Sequence, residues 1–340
     1  MKIGFINPKS YTSGGSVYID YLINGLKKQG VDTVLVEYPI NKYGIVVKKP
    51  CINLKKLKNC DVLHLLAEHA FLFKRIKKRK VTTVYHLVFN EKYLKHASFA
   101  QKIYYAAFLK KYIQKSLNTV NRVIAMSDYT KESTIKIFGE RDVKRIYPGI
   151  DTKKFKPQEK DRNDNKIRLL FVGNLIKRKG VDLLPRIMNE LGDRYILYYT
   201  TGLRTGNILR HKKMLPLGKL RQSSGELIDE YNKCDIFLFP TRLEGFGYAV
   251  AEAMACAKPV VTTNCSSLPE LIVNGKGGFL CEMDNVDDFV AKIKILGADE
   301  NLRKRMGEFN RKRVLKKFTL ERSVKEHIKF YKQLIKEKKR

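Results

Sequence analysis

Residues 244–261 read Glu244-Gly-Phe-Gly-Tyr-Ala-Val-Ala-Glu252-Ala-Met-Ala-Cys-Ala-Lys-Pro-Val-Val261, and the predicted organisation of the chain follows from them. An apolar run from Asp235 to Phe239 precedes them and predicts a buried strand, and their alanine-rich part predicts a helix. Gly245 and Gly247 carry no Cβ, so backbone N–H groups at the helix start can approach a ligand closely. Because a helix N-terminus favours negative charge, we expect a diphosphate site here.

Glu244 and Glu252, which stand at the two ends of the first part of this segment, are candidate ligand contacts. Glu252 falls within a mostly apolar helix, where an ionised carboxylate is costly unless it is paired or accepts hydrogen bonds, for example from sugar hydroxyls. Glu244 precedes the helix and can reach the same ligand from another side. The alternative is a helix-capping Glu244 together with a solvated Glu252.

Strand-like and helical segments alternate along the chain up to this segment, which is typical of parallel, doubly wound sheets, and from Val286 onward the sequence predicts helices only. With 340 residues, the chain suits two α/β domains of roughly 150 residues each. The polar segment from Lys156 to Lys166 predicts the linker between them, and Phe318 to Lys338 predicts a final helix. The predicted strands cover 2–6, 33–37, 61–66, 81–86, 122–126 and 143–147 in the first domain, and 167–172, 195–199, 235–239 and 259–262 in the second.

Composition excludes several classes of protein. Hydrophobic residues make up 44% of the chain and charged residues 30%, which excludes global disorder. No apolar run approaches the roughly 18 residues of a membrane-spanning helix, and the first apolar run is too short for a signal peptide. The excess of 68 basic over 34 acidic residues, a net charge of +34, predicts an anionic partner.

Cysteines and histidines give no sign of a metal site. The six cysteines form no C-x-x-C pair and the six histidines no H-E-x-x-H motif, which disfavours structural zinc. Unpaired cysteines in apolar segments, such as Cys234 and Cys256, fit a reducing cytoplasm. No acidic D-x-D cluster is present to hold a cation on a diphosphate, so we expect a metal-independent protein without a cofactor.

With these residues in place, the sequence resembles the retaining glycosyltransferases of family 4, whose E-x7-E motif matches Glu244 and Glu252. The resemblance implies a GT-B fold, in which two Rossmann-like, doubly wound domains face a central cleft. It implies an acceptor-side domain over 1–157, a nucleotide-sugar domain over 158–316, and a helix over 317–340 that crosses back to the first domain. In this family Glu244 would contact the donor sugar and Glu252 the nucleotide ribose.

A second matching segment is Phe171-Val-Gly-Asn174 followed by Lys177-Arg-Lys-Gly180, which resembles the strand end and basic diphosphate clamp of the family. Fixed cations there would stabilise the negative charge that builds up on the leaving nucleoside diphosphate. Lys179 is the candidate for this catalytic role. Many family members carry Arg at the position of Asn174, and whether Arg178 compensates stays open. The alternative for Lys177 and Arg178 is a solvated basic turn.

In the first domain the resemblance selects Gly15, in the glycine loop after the first strand, and His86, at the end of the strand 81–86. His86 would lie near the transferred sugar; the alternative is a buried, hydrogen-bonded histidine, which is also the interpretation of His64. Leu220 resembles the residue that borders the nucleotide base. The predicted catalytic residues are His86, Lys179 and Glu244, and the predicted donor-binding residues are Gly15, Asn174, Arg178, Lys179, Leu220, Glu244, Gly245, Phe246, Gly247, Tyr248 and Glu252.

Basic residues stand close to aromatic residues in two segments of the first domain: Phe71 to Lys80, whose basic part is Lys74 to Lys80, and Lys92 to Lys115. This mixture suits an anionic membrane surface. The alternative is that the aromatic rings pack on the core and the lysines only solvate the outer face. No nucleic-acid-binding signature accompanies the charge, so nucleic acid is not an expected partner.

The resemblance implies a retaining glycosyltransferase that moves a hexose from a nucleoside diphosphate sugar to an acceptor, either lipid-linked or a growing glycan. We expect it in the cytoplasm, with peripheral association with the inner face of the membrane. Two alternatives stay open: a GT-B nucleotide-sugar epimerase, and a non-catalytic sugar-nucleotide-binding module, which Asn174 motivates. The sequence does not select the sugar, the base or the acceptor.

Overall fold

The computed structural model describes residues 1–9, 14–40, 53–159, 165–202, 209–220 and 224–337. The chain divides into two compact units: unit 1 comprises Met1–Gly149 with Leu320–Arg340, and unit 2 comprises Ile150–Thr319. Each unit contains a six-stranded sheet, so the predicted doubly wound α/β class is confirmed. Of the helices in these ranges, none combines the length and the apolar composition that crossing a bilayer requires.

Strands β1 to β6 belong to unit 1 and β7 to β12 to unit 2. Their bounds are Lys2–Pro8 (β1), Asp32–Tyr38 (β2), Val62–Leu66 (β3), Arg79–Val84 (β4), Arg122–Ala125 (β5), Val143–Arg145 (β6), Ile167–Phe171 (β7), Tyr195–Tyr199 (β8), Met214–Pro216 (β9), Ile236–Phe239 (β10), Val260–Thr263 (β11) and Gly278–Cys281 (β12). The sequence predicts each of these strands except β9 and β12.

The helices connect the strands, as expected for parallel sheets. Their bounds are Gly14–Lys28 (α1), Glu91–Leu94 (α2), Phe99–Tyr104 (α3), Lys110–Leu117 (α4), Asp128–Phe138 (α5), Leu184–Glu190 (α6), Gly225–Lys233 (α7), Tyr248–Ala255 (α8), Leu268–Leu271 (α9), Val286–Ala298 (α10), Glu300–Lys317 (α11) and Leu320–Lys336 (α12). A π-helical turn, Tyr105–Leu109, joins α3 to α4.

In unit 1 the strand order is β2-β1-β3-β4-β5-β6, with all pairs parallel. In unit 2 the order is β12-β11-β10-β7-β8-β9, again all parallel. The chain reverses its direction of travel across the sheet between β1 and β3 in unit 1, and between β7 and β10 in unit 2. Open α/β sheets bind ligands beyond the carboxyl ends of the strands at such switch points.

The last helix, α12, belongs to unit 1 and is fixed there by a buried hydrogen-bond network. The Tyr18 hydroxyl lies 2.8 Å from His327 Nε2. His64 lies 2.6 Å from the Tyr331 hydroxyl through Nδ1 and 2.8 Å from Thr83 Oγ1 through Nε2. The interpretation of His64 as a buried, hydrogen-bonded histidine is therefore confirmed.

The unit boundary lies at Gly149 and Ile150, eight residues before the predicted boundary at 157, and α12 begins at Leu320 rather than 317. Ile150 belongs to unit 2 because it is fully buried and its N–H donates to the Phe318 carbonyl at 2.8 Å. Phe155, also fully buried, lies edge-on to Tyr231. The predicted linker, 156–166, thus falls inside unit 2, and its residues 160–164 lie outside the described ranges.

The structure corrects three local predictions in unit 1. Gly15 lies in the first turn of α1 rather than in a loop, and the residues before it, 10–13, are outside the described ranges. Strand β4 ends at Val84, so His86 follows the strand instead of ending it. Lys80 is buried in β4 and is not available to a membrane, because an inward-facing position of a central parallel strand excludes solvent.

The described cysteines, which exclude Cys51, carry free thiols, as predicted. Cys234 and Cys256 are both buried. Burial raises the pKa of Cys234 to about 12, so its thiol stays protonated and acts as a small apolar group.

Candidate active site

The candidate site begins where β10 ends. All four residues of β10 are buried, and the chain then runs through Pro240 to Gly247 before α8 starts at Tyr248. Gly247 has a φ of 96°, a left-handed conformation that favours glycine, and it caps α8 without a side chain. The predicted strand, glycine loop and helix are therefore present, and the first N–H groups of α8 have no partner within the helix itself.

Glu244 lies in this loop and is almost completely buried, with 7% of its surface exposed. Its Oε1 accepts hydrogen bonds from Lys179 Nζ at 2.6 Å and from Thr241 Oγ1 at 2.9 Å. Its backbone N–H donates to Ser266 Oγ at 2.9 Å, and its carbonyl accepts from Ser267 Oγ at 3.2 Å. The loop is thus held at both its side chain and its backbone.

Lys179 reaches this carboxylate from the turn that follows β7. Lys177–Lys179 form one 3-10 turn that ends at Gly180, whose φ is 69°. A Cβ on Gly180 would lie 1.8 Å from the Pro240 carbonyl oxygen, so only glycine lets the turn pack against the β10 loop. The Lys179 ammonium also lies 4.9 Å from the ring centroid of Phe239.

Two cations therefore face one carboxylate. Burial alone would raise the pKa of Glu244, but the charges of Lys179 and Arg178, with the hydrogen bonds from Lys179 and Thr241, hold it below its usual value. Burial lowers the pKa of Lys179, and Glu244 opposes that shift. The cluster keeps one positive charge in excess, which suits an anionic ligand.

Arg178 is directed toward the β10 loop. Its Nη1 donates to the Leu243 carbonyl at 2.6 Å and lies 3.5 Å from Glu244 Oε1. The alternative of a solvated basic turn is therefore wrong for Arg178, whereas Lys177 is exposed. The charge of Arg178 adds to the same cluster as Lys179.

Arg242 is a site residue that the sequence analysis missed. Only 3% of it is exposed, and its Nη1 and Nη2 donate to the two carboxylate oxygens of Asp182 at 2.7 Å each. Its Nε donates to Asp284 at 2.7 Å, and its Nη1 also donates to the Lys177 carbonyl. Arg242 thus clamps the basic turn against the β10 loop, which positions Lys179 and Glu244.

Glu252 lies on α8 and is 1% exposed. Its Oε2 accepts a hydrogen bond from the Tyr231 hydroxyl of α7 at 2.8 Å. The alternative of a solvated Glu252 is therefore wrong, since both glutamates of the pair are buried. Contact between Glu252 and a ribose stays a prediction.

The other predicted donor-binding residues of unit 2 lie in the β10 loop, at the start of α8, and after strands β7 and β9. Gly245 and Phe246 lie in the β10 loop, and the buried Phe246 ring is edge-on to Tyr248, the first residue of α8. Asn174 follows β7, where its carbonyl accepts from the Ile176 N–H at 2.9 Å. Leu220, half-buried, follows β9 at the end of the described range 209–220.

Gly15 and His86, the predicted site residues of unit 1, both lie at the carboxyl edge of its sheet. Gly15 follows β1, and a Cβ on it would lie 2.5 Å from Cε2 of Tyr85. His86 comes two residues after β4 and is half-buried. Roles of these two residues in donor binding and catalysis stay predictions.

Two family models match the chain. The model of glycosyltransferase family 4 matches residues 12–154, and the model of the glycosyl transferases of group 1 matches residues 219–313, which include Glu244 and Glu252. The basic turn 177–179 falls between the two matched segments.

Two curated relatives of the chain are named as glycosyltransferases. An uncharacterized glycosyltransferase of Methanocaldococcus jannaschii is 33% identical, covering 63% of this chain and 60% of that protein. The capsular polysaccharide biosynthesis glycosyltransferase CapM of Staphylococcus aureus is 33% identical, covering 58% of this chain and 54% of that protein. The chain therefore spans between half and two thirds of these relatives.

Solved structures share the fold of the whole chain. Sucrose-phosphate synthase from Thermosynechococcus elongatus superposes with a TM-score of 0.78 at 16% identity, covering 98% of this chain and 99% of that one. HepE of Anabaena, solved with UDP-glucose, superposes with a TM-score of 0.76 at 15% identity, covering 98% and 100%.

Proposed function

Because the chain belongs to family 4 of the glycosyltransferases and has the GT-B fold, we propose that it transfers a hexose from a nucleoside diphosphate sugar to an acceptor. We further propose that the configuration at the anomeric carbon is retained. The observation that carries the proposal is the largely buried cluster of Lys179, Arg178 and Glu244 at the switch point between β7 and β10.

The charges of this cluster fit the chemistry of the transfer. As the bond between the sugar and the diphosphate breaks, negative charge builds up on the leaving diphosphate. Lys179 and Arg178 supply two fixed cations, and N–H groups at the start of α8 supply further donors. Glu244, held ionised, is suited to accept hydrogen bonds from hydroxyls of the donor sugar.

We propose a nucleotide-sugar donor without fixing its base. HepE, which shares the fold, has been solved with UDP and with UDP-glucose. A thermal-shift screen of UDP-, GDP- and ADP-sugars identifies the base, since a ligand that binds only the native state raises the midpoint of unfolding. A chain that binds none of these donors would contradict the proposal.

The reaction is tested on the donor that binds. Slow hydrolysis of that donor, with the α-anomer released first from an α-linked donor in proton NMR spectra, would support a retaining transferase. An altered sugar on an intact nucleotide would instead indicate an epimerase, and an unchanged donor a binding module.

We propose that transfer needs no divalent metal, because Lys179 and Arg178 can neutralise the diphosphate charge that a bound metal ion neutralises in other enzymes. Donor hydrolysis measured with EDTA and with added Mg²⁺ tests this directly. Equal rates are expected. Loss of activity in EDTA with recovery in Mg²⁺ would contradict metal independence.

We propose that the acceptor is presented at an anionic membrane surface, either lipid-linked or as a growing glycan, and that the chain is a peripheral protein of the cytoplasmic face. The relative CapM is named for capsular polysaccharide biosynthesis. In this chain, exposed basic residues and exposed aromatic rings both occur in unit 1. That combination supports adsorption to a membrane interface.

A further inference from the structure

Glu68 occupies the switch point of the sheet in unit 1. It follows β3 by two residues, and β3 lies between β1 and β4 in the sheet. Gly15, which follows β1, lies on the other side of the same switch point. By the rule that locates ligands in open α/β sheets, the carboxyl group of Glu68 lies where a ligand of unit 1 is expected.

The carboxyl group of Glu68 is shielded but poorly satisfied. Its Oε2 is buried and, within the described residues, receives no hydrogen bond. Within the described chain, burial raises the pKa of this carboxyl and a hydrogen bond from its own backbone amide lowers it. No cation of the described residues contributes to the shift. A buried carboxylate oxygen without a donor is costly to the fold, so a ligand that donates a hydrogen bond to Oε2 would relieve that cost.

Three tyrosines lie near this carboxyl. Tyr38, Tyr85 and Tyr104 lie near enough for its charge to raise the pKa of each phenol, in addition to the larger effect of burial. The Tyr38 hydroxyl is already paired with His69 Nδ1 at 2.8 Å. Tyr85 and Tyr104 are only half-buried, so their rings are the ones that a ligand can reach.

We propose that Glu68 hydrogen-bonds a hydroxyl group of the acceptor, a sugar or related polyol whose apolar face packs on Tyr85 and Tyr104. The inference rests on the proposed transferase function. A neutral polyol fits better than a cation, because the chain as a whole carries a net charge of +34 and repels cations. Glu68 would thus be one contact of the acceptor-side domain that the family resemblance implies.

The protonation of Glu68 gives this proposal a distinctive test. Burial raises the pKa of Glu68 to about 7. The groups that face it titrate elsewhere: burial lowers the pKa of His69 to about 4, and the pKa values of Tyr38, Tyr85 and Tyr104 are all raised above their usual 10. Because an ionised carboxylate accepts stronger hydrogen bonds than a neutral acid, polyol binding should strengthen from pH 6 to pH 8.

The experiment measures binding of methyl α-glucopyranoside, methyl β-galactopyranoside and glycerol by NMR titration at pH 6 and pH 8. For at least one probe we expect affinity about tenfold higher at pH 8, since a group with a pKa near 7 changes its ionised fraction by that factor. Glu68→Gln should weaken binding about tenfold at pH 8 and abolish the pH dependence of binding. Loss of the pH dependence in this variant would also exclude His86 as its source. Glu140→Gln, at an exposed carboxylate of unit 1, should change neither.

Several outcomes would overturn the assignment: no probe binds the wild-type protein, its binding does not depend on pH, or Glu68→Gln binds as the wild type does. If that variant is unstable, the pH dependence of polyol binding by the wild-type protein still tests the role of Glu68. A UDP titration of the same wild-type sample reports on unit 2 separately. UDP binding without polyol binding would reject only the role of Glu68, whereas failure to bind UDP or other nucleoside diphosphates would count against the transferase itself.

Discussion

Lys179 and Glu244, 65 residues apart in the chain, form a largely buried ion pair with 2.6 Å between Nζ and Oε1. The pair joins the turn after β7 to the loop after β10, the two strands that flank the switch point of unit 2. Buried ion pairs contribute little net stability, because desolvation offsets most of their attraction. Its value here is therefore positional: Glu244 fixes the ammonium group where a diphosphate is expected.

Replacing Lys179 with Ala should lower turnover about a hundredfold or more, as the loss of a group that stabilises developing charge does elsewhere. Arg178 would remain as the cation beside Glu244. Donor hydrolysis under saturating donor measures the effect. Lys177→Ala is the matched control, since Lys177 is the exposed neighbour in the same turn and should retain wild-type turnover. Unchanged turnover in Lys179→Ala would remove Lys179 from the mechanism.

Replacing Glu252 with Gln should raise the KM for the donor more than it lowers kcat. Hydrogen bonds to ribose hydroxyls are made in the ground state and in the transition state alike, so their loss weakens binding uniformly. The Gln side chain keeps an acceptor for the Tyr231 hydroxyl, which limits structural damage. Steady-state kinetics of Glu226→Gln, an exposed position on α7, provide the comparison. A fall in kcat alone would instead place Glu252 in the chemical step.

Most of the fold could be predicted from the sequence because buried parallel strands are continuous apolar runs. Strands β9 and β12 were not predicted, because their own sequences are short and atypical of buried strands. Strand β9 has three residues, one of them Pro216, and follows two lysines. Strand β12 has four residues and begins with Gly278. Their places at the two edges of the sheet require fewer buried side chains, so the periodic signal is weak.

The site was predictable only where one segment carries its own signature. Glu244, Gly245 and Gly247 stand together in the sequence, and the strand, loop and helix around them indicate a ligand site. Arg242 has no such signature, because its function depends on Asp182, 60 residues earlier, and on Asp284, 42 residues later. Pairings over such distances become visible only in the folded chain.

The stability of unit 1 should fall as the pH drops below about 6.5. Burial lowers the pKa of His64 to about 3 and that of His327 to about 4, both below the value of about 6.5 in an unfolded chain. Between these values the unfolded state binds more protons, so acid favours unfolding. Each histidine should cost about 2 kcal/mol at pH 5 relative to pH 7.5, measured by urea unfolding.

The source of this acid sensitivity can be separated from general carboxylate titration. Replacing His327 with Gln should flatten the pH dependence by about 2 kcal/mol over the same range, although stability at pH 7.5 falls because the contact with Tyr18 changes. His96→Gln, at a half-buried histidine outside the network, should keep the wild-type slope. Identical slopes in all three proteins would show that the buried histidines do not control acid unfolding.

The surface that we expect to meet a membrane is narrower than the sequence indicates. Lys78 donates to the carbonyls of Lys58 and Cys60, and Arg79 donates to the Glu337 carbonyl, so both residues have structural roles. Lys74, Arg75 and Lys77 are exposed. Apolar side chains of unit 1 are exposed on α3 and on the turn after it: Phe99 is 78% exposed, and Ile103 and Phe108 are each 49% exposed.

Liposome co-sedimentation should therefore show binding to phosphatidylglycerol vesicles and little binding to phosphatidylcholine. Each basic side chain near an anionic surface contributes about 1 kcal/mol, so replacing Lys74, Arg75 and Lys77 together with Ser should weaken binding about a hundredfold. Raising salt from 0.1 M to 1 M shortens the Debye length from about 10 Å to about 3 Å and should weaken binding similarly. Serine at Lys325, Lys329 and Lys332, exposed on α12, removes the same charge elsewhere and should matter less. Equal losses of binding in the two triple-serine variants would indicate attraction to the whole basic surface of unit 1. If the protein does not bind anionic vesicles at low salt, the proposal of a membrane-presented acceptor loses its support.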